Sequence, residues 1–178
     1  MATLNNQFHE LCKNFKGNEL EKVIERILDS DLYITSEFLS YPNIKALKSG
    51  NKYYDTLYLF SMLTYSDYKK SPSKYLTLNN KLINKLKCVS ILEIAKEKKF
   101  LEFSYLKNAL DIKENYELEE LLFTLISRDL ITGKINSNRM LRGRGFFVFN
   151  GEGVAQIGNG INEFAVRQLH RSCLRPNT

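Results

Sequence analysis

The sequence lacks tryptophan and holds only two histidines, three cysteines and three prolines among its 178 residues. The two histidines, His9 and His170, have no partner at ligand spacing, whereas a hydrolytic zinc site usually needs two or three His or acidic ligands at defined spacing. An odd number of distant cysteines favours a reducing compartment over a disulfide framework. We therefore expect a protein of the cytoplasm and nucleus that binds no metal and no cofactor.

Long apolar runs are also missing from the chain. No stretch approaches the roughly 18 continuous apolar residues of a membrane span, so we expect no membrane association. Residues 1–16 show no apolar segment after a basic start, which argues against a secretory signal. Apolar residues nevertheless make up 43% of the sequence, and this share is enough to bury a core and to argue against disorder over most of the chain.

Sequence patterns that carry catalysis are absent as well. Gly151-Glu152-Gly153 is not followed by the third glycine of a dinucleotide fingerprint, and no Gly-Lys-Ser/Thr follows. Cys88 falls within a predicted helix, where a cysteine usually serves as a small buried apolar residue. Cys173 lies three residues from His170, so the two side chains could share one face of a helix. These patterns give no support for an enzyme.

The positive charge is concentrated near the end of the sequence. Residues 1–138 carry 18 Lys and 2 Arg against 18 acids, whereas residues 139–178 carry 6 Arg against 2 acids. Six of the nine glycines also lie at or after Gly143. This break in composition leaves two interpretations of residues 151–178 open: a disordered basic tail after a folded domain, or a segment foreign to the native fold.

Residues 1–73 read mostly as short amphipathic helices. One apolar stripe recurs at the helical period, with Asn18 as the expected N-cap, and consists of Leu20, Val23, Ile24, Ile27 and Leu28. Further helices are expected over 32–39, 44–47, 54–63 and 67–70, before a linker at Ser71-Pro72-Ser73. Short helices joined by short turns are typical of a helical-repeat bundle (HEAT- or TPR-like) or of an irregular helical domain.

Residues 74–150 follow a different order of elements: helix, short strand, helix, helix, strand and strand. We expect helices that begin with Thr77, Ser104 and Asn115 as N-caps. Strands are expected over 100–103, 130–135 and 146–149. This order is that of a winged helix with a small antiparallel sheet.

Several segments, taken in order over residues 20–138, resemble the PCI domain family. The segments that carry the resemblance are Tyr41-Pro42-Asn43-Ile44, residues 63–68, Leu76-Thr77, Lys81-Leu82, Lys85-Leu86, residues 90–95, Tyr105-Leu106, residues 118–121, Asp129-Leu130-Ile131 and Gly133-Lys134-Ile135. Within the family, the pattern is most similar to the subunit-seven branch of the COP-nine signalosome, with the subunit M branch of initiation factor three as the nearest other match. The similarity weakens after Asn138, where the composition changes.

The resemblance implies a mostly α fold, in which a helical-repeat bundle precedes a winged-helix subdomain, and a role as a non-catalytic scaffold. It implies membership of the signalosome, which removes a ubiquitin-like modifier from the cullins of cullin-RING ubiquitin ligases. The implied partners are other PCI subunits and the metalloprotease-containing core, and indirectly the ligases. PCI subunits join through the strands of their winged helices, so the expected partner-binding edge is Leu130, Ile131, Thr132, Lys134 and Ile135.

Nucleic-acid binding is the alternative, because many winged helices insert their third helix into the major groove. Here that helix carries Glu117, Glu119 and Glu120, which would repel phosphates, and this argues against DNA readout. An RNA-associated or initiation-factor PCI protein remains open as the alternative function, with contacts at Arg139, Arg142 and Arg144. Three lysines of the preceding long helix are expected to form a solvated face: Lys81, Lys85 and Lys87.

Overall fold

The computed structural model describes residues 2–47, 50–97, 100–136 and 146–149, and it is mostly helical over these ranges. The α-helices are α1 (Ala2–Asn14), α2 (Gly17–Asp29), α3 (Pro42–Leu47), α4 (Lys52–Met62), α5 (Tyr65–Lys70), α6 (Asn80–Glu97), α7 (Phe103–Leu110) and α8 (Asn115–Ser127). Two short 3₁₀ turns are η1 (Ser36–Ser40) and η2 (Pro72–Lys74), and the strands are β1 (Phe100–Glu102), β2 (Gly133–Asn136) and β3 (Phe146–Phe149). None of the described helices is long and apolar enough to cross a bilayer.

The chain divides into two compact units, the first ending at Ser90 and the second beginning at Ile91. The division therefore falls inside α6 rather than at the Ser71-Pro72-Ser73 segment, part of which forms η2. The predicted domain bounds 1–73, 74–150 and 151–178 stay predictions. Residues 151–178 lie outside the described ranges.

The core of the first unit is organised around α2. All five residues of its predicted apolar stripe are buried, and this confirms the helix. They pack with apolar side chains from α1, η1, α3 and α4, among them Phe8, Phe38, Ile44, Leu57 and Phe60. Fully burying a side chain of this size stabilises the fold by about 1.5–3 kcal/mol before the entropy cost, so this cluster is the main source of stability in the unit.

Helix α1 was not expected from the sequence, although Phe8, Leu11, Cys12 and Phe15 lie at helical spacing. Phe8 and Cys12 are buried in the core of the first unit. The amide Nδ2 of Asn43 donates to the main-chain oxygens of Cys12 at 3.2 Å and Lys13 at 2.7 Å. Because the last carbonyls of a helix have no partner within it, this amide completes the C-terminal end of α1.

Phe38 lies at the contact between α1 and η1 and is fully buried. Its ring meets the edge of Phe8 with 6.5 Å between centroids, and the ring of His9 lies 4.8 Å away. Residues 32–39 were expected to form a helix, but this prediction is wrong: the helical turn is 3₁₀ and begins only at Ser36. Thr35 explains the late start, because its buried hydroxyl lies 2.9 Å from the Ser61 hydroxyl and holds the preceding chain against α4.

Several helix starts differ from their predicted caps. Gly17, with a positive φ of 56°, opens α2 directly after Lys16, so Asn18 lies inside the helix and does not cap it. Helix α5 begins after Thr64 rather than Ser66: the Asp67 carboxylate accepts the Thr64 N–H at 3.1 Å in a capping box. Hydrogen bonds from Lys70 and from the Thr64 hydroxyl lower the pKa of Asp67.

The first residues of α6, α7 and α8 also differ from those that the predicted N-caps imply. Helix α6 begins at Asn80 instead of directly after Thr77, since the Asn79 side chain accepts the Leu82 N–H at 2.9 Å. Helices α7 and α8 follow Glu102 and Glu114, neither of which makes a side-chain cap bond, so Ser104 and Asn115 already lie within the helices. The existence of these helices was predicted correctly, but their first residues were not.

The second unit contains a three-stranded antiparallel sheet in the order β1-β3-β2. Phe100 pairs with Val148 across β1 and β3, and Lys134 pairs with Val148 across β2 and β3. Helices α7 and α8 pack together and bury a leucine-rich set: Leu106, Leu110, Leu118, Leu121, Leu122 and Leu125. The stripe predicted for α8 is therefore buried as expected, apart from Ile126, which is only half-buried.

Candidate functional site

Strand β2 forms one edge of the sheet, since β3 is its neighbour on one side and no described strand lies on the other. It runs from Gly133 to Asn136, so the expected edge residues Lys134 and Ile135 lie within it. The other three expected residues precede the strand. Ile131 is buried, with 5% of its surface exposed, whereas Thr132 is exposed. Whether these five residues bind a partner stays a prediction.

The end of α8 explains why Leu130 does not begin the strand. Asp129 adopts a left-handed conformation with φ of 55°, and the Leu130 N–H donates to the Leu125 oxygen at 2.9 Å. The Asp129 N–H donates to Ile126 in the same turn, which completes a Schellman motif. The Leu130 N–H is thus committed to the helix end and is not available to a sheet ladder.

His9 belongs to a polar cluster that joins α1 to η1 and the residue that follows it. Its Nδ1 lies 2.7 Å from the Tyr41 hydroxyl, and its Nε2 lies 3.3 Å from the Glu37 carboxylate. The amide of Asn5 donates to the same carboxylate at 2.9 Å. In the described part of the chain, no three His, Cys, Asp or Glu side chains are grouped as metal ligands. The contacts of His9 are those of a residue that holds two segments together.

The two described cysteines, Cys12 and Cys88, are both buried. Burial raises the pKa of the Cys12 thiol to about 11, and Cys88 is buried within α6. A thiol must lose its proton to act as a nucleophile. At pH 8 only roughly one Cys12 thiol in a thousand carries the charge, which makes this position a poor nucleophile.

We expect both thiols to be protected from thiol reagents. In a Cys173→Ser variant, the native protein should react with Ellman's reagent at pH 8 at least about a hundredfold more slowly than free cysteine, because the reaction requires an accessible thiolate. In concentrated guanidinium chloride, the same variant should release two thiol equivalents at the ordinary rate. Rapid reaction of the native chain would show that Cys12 or Cys88 is accessible.

Lys85 is buried rather than solvated, which corrects the sequence-based expectation. Only 5% of its surface is exposed, and its ammonium donates to the main-chain oxygens of Leu28 at 2.6 Å and Ser30 at 2.7 Å. The ring of Tyr33 lies 5.9 Å away. A cation at a helix C-terminus is favourable because the last carbonyls carry partial negative charge. Lys85 therefore closes the end of α2 from the neighbouring helix α6.

The other two lysines of the predicted solvated face differ from each other. Lys81 is exposed and pairs with Asp29, whose carboxylate lies 3.0 Å away. Lys87 is half-buried, and its ammonium lies 5.2 Å from the ring centre of Tyr65. The predicted arginine contacts Arg139, Arg142 and Arg144 lie outside the described residues, as do His170 and Cys173.

Helix α8 presents an exposed face that is acidic and aromatic. Tyr116 and Phe123 have 62% and 40% of their surfaces exposed. Glu120 lies between them on the same face and is exposed as well. Burial raises the pKa of the neighbouring half-buried Glu119 carboxyl. The carboxylates of such a surface would repel a DNA phosphate backbone. Whether the chain binds nucleic acid stays a prediction.

The described part of the chain is mostly helical, and comparison with known proteins defines its class. Residues 55–142 match the sequence model of the PCI domain. The chain therefore carries a PCI domain, as its sequence predicted.

Three similar proteins are subunit 7 of the COP9 signalosome complex. The chain is 30% identical over 135 residues to COP9 signalosome complex subunit 7 of Drosophila melanogaster, an alignment that covers 74% of this chain and 49% of that protein. It is 30% identical over 133 residues to the Dictyostelium discoideum subunit 7, covering 73% of this chain and 51% of the relative. The mouse subunit 7a is 27% identical over 133 residues, with 73% and 48% covered. The chain spans about half the length of these relatives.

Proposed function

We propose that this protein is a non-catalytic scaffold subunit of a COP9 signalosome, acting in the cytoplasm and nucleus. The proposal rests on its similarity to signalosome subunit 7 along nearly three quarters of the chain. In this role it would help assemble the complex that removes a ubiquitin-like modifier from the cullins of cullin-RING ubiquitin ligases. Its direct partners would be other PCI subunits, and through them the metalloprotease-containing core.

The elements from α6 onward support a winged-helix subdomain as the assembly module. They follow the order α6, β1, α7, α8, β2 and β3, which is the order of helices and strands in a winged helix. Its β2 edge offers main-chain donors and acceptors that a neighbouring subunit could pair with by adding a strand. An open edge of this kind is also prone to self-pairing, so a partner that covers it would stabilise the protein in solution.

The arrangement of titratable groups favours a scaffold over an enzyme. His9 is engaged by Tyr41 and Glu37. The Cys12 thiol is buried and protonated at neutral pH. A catalytic residue needs access to its substrate, whereas His9 is held between two segments and the Cys12 thiol is buried.

Purification from the native cells would test the proposal directly. We expect a tagged chain to recover other PCI subunits, a metalloprotease subunit and cullins, identified by mass spectrometry. Recovery of initiation-factor subunits and ribosomes would instead assign the protein to translation. A chain that recovers neither set would contradict a role in either complex.

Adjacent proline substitutions in β2 would test the edge itself. Successive N–H groups of a strand point to opposite sides, so Lys134→Pro and Ile135→Pro each remove a donor from a different side of β2. One proline removes a bond to β3 and should lower the thermal stability of the isolated chain. The other removes an outward donor, so that chain should remain folded but lose its PCI partners in co-purification.

The pair serves as its own control, because both variants carry the same residue at neighbouring positions. Thermal melts followed by circular dichroism identify which proline leaves the fold intact. If the chain with native stability still assembles at the level of the unmodified protein, docking through the β2 edge is wrong.

A further inference from the structure

Among the described residues of the second unit, one helix face is exposed and lies outside the proposed edge contact. Tyr116, Glu120, Phe123 and Ser127 recur at intervals of four, three and four residues and are all exposed; we name them the α8 face. The opposite side of the same helix is the buried leucine stripe. Seven residues separate the two aromatic side chains, which corresponds to roughly 10 Å along the helix axis.

The α8 face is acidic as well as aromatic. Glu114, Glu117, Glu119 and Glu120 fall within the last residue before the helix and its first six positions, and no Lys or Arg lies between Asn115 and Ser127. The bases nearest in sequence are Lys113 before the helix and Arg128 after it. From the adjoining helix α7, Lys107 reaches this end of α8, but its ammonium is bound to the Asn115 side chain at 2.9 Å. Among the described residues, the first turns of α8 therefore carry a net negative charge.

Helix stability accounts for only part of this composition. Carboxylates in the first turn interact favourably with the helix dipole, which explains Glu114 and Glu117. Glu120 is the sixth residue of α8, beyond the range of that effect. The dipole also gives no reason for two large aromatic side chains on the solvent side. Exposed aromatic residues on a polar surface are typical of contacts between proteins.

We infer that the α8 face binds a basic segment of a partner protein, with lysines or arginines placed around two apolar side chains. Tyr116 and Phe123 would bury the apolar side chains, and the carboxylates would pair with the cations. A second copy of this chain fits poorly, because the same carboxylates would face one another. Nucleic acid is excluded on the same ground, since its phosphates would be repelled. The surface is distinct from the β2 edge.

Binding of a defined peptide to the full chain would test this inference. The probe is a fluorescein-labelled peptide of about 14 residues, rich in lysine and arginine, with two leucines seven positions apart to match the helix repeat. A second peptide has serine in place of both leucines, and a third has glutamate in place of every basic residue. Fluorescence anisotropy should show saturable binding of the first peptide, at least about tenfold weaker binding of the second, and none of the third.

Two double variants would locate the contact. Glu117→Lys/Glu120→Lys should weaken binding of the first peptide more than about tenfold, and Tyr116→Ser/Phe123→Ser should weaken it by about tenfold. The matched control is Glu10→Lys/Glu25→Lys, which changes the net charge equally but on exposed positions of α1 and α2 in the first unit. This control should lower affinity less than about twofold in moderate salt.

Each remaining outcome would overturn the inference. If the control variant weakens peptide binding equally, the effect comes from the overall charge of the protein and not from the α8 face. Lack of saturable binding would show that the face does not take such a segment, including the case in which the chain's own basic residues already occupy it. A change in sedimentation of the free protein on Glu117→Lys/Glu120→Lys would assign the face to self-association. None of these results bears on assembly through β2, which co-purification measures separately.

Discussion

A Lys85→Met substitution should lower the free energy of unfolding by about 2–4 kcal/mol. Methionine retains the length of the apolar stem but cannot donate to the oxygens of Leu28 and Ser30. Each buried acceptor left without a partner costs about 1–3 kcal/mol. Relief from burying an ammonium offsets part of this loss. The measurement is urea unfolding followed by far-ultraviolet circular dichroism, since the chain has no tryptophan.

Lys81→Met is the matched control for Lys85→Met. Lys81 lies one turn earlier on α6 and contacts the exposed end of α2 through Asp29. Because exposed ion pairs contribute little, this change should alter the free energy of unfolding by less than about 1 kcal/mol. Equal effects of the two substitutions would show that burial of Lys85 contributes nothing beyond an ordinary surface contact.

Phe38→Ala should produce an even larger loss, about 3–5 kcal/mol, by leaving a cavity among the side chains around η1. Phe38 is fully buried and its ring contacts those of Phe8 and His9. Since the Phe38 ring contacts Phe8 and His9 of α1, this helix should also lose protection of its amide protons. Hydrogen exchange measured by mass spectrometry would follow that local effect alongside the unfolding transition.

Phe38→Leu separates loss of volume from loss of the aromatic contacts. Leucine fills most of the space, so we expect a cost of about 1–1.5 kcal/mol and nearly normal protection of α1. Tyr58→Ala supplies a surface control on α4, because this aromatic side chain is partly exposed. A Phe38→Ala protein as stable as the Tyr58→Ala protein would contradict the packing described for η1.

Periodic patterns predicted which segments would be helical. The stripe of α2 and that of α8 were read from apolar spacing alone, and all but Ile126 of α8 are buried in the structure. Such patterns are informative because burying one face of a helix dominates its stability. Helix α1 was missed because its apolar residues are fewer and its end is completed by Asn43, a residue thirty positions away.

The first residue of each helix and the burial of individual charged side chains could not be predicted from apolar spacing. Serine, threonine and asparagine are common near helix starts, and tertiary contacts decide which of them serves as the cap. Ser66 was expected to cap α5, but Thr64 does so because Asp67 completes its capping box. Lys85 looked like a surface lysine in sequence, since nothing near it reveals that α2 ends beside it. The strand at Gly133 starts late because Asp129 and Leu130 are used to end α8.

The core of the first unit has a consequence for protein production. The family match begins at residue 55, inside α4. Yet Leu57 and Phe60 are buried against residues that precede that point, including Ile24 and Phe38. A recombinant fragment trimmed to 55–142 would expose these leucine and phenylalanine side chains to solvent and should aggregate. The segment that matches the family model is therefore shorter than the segment that the chain needs in order to fold.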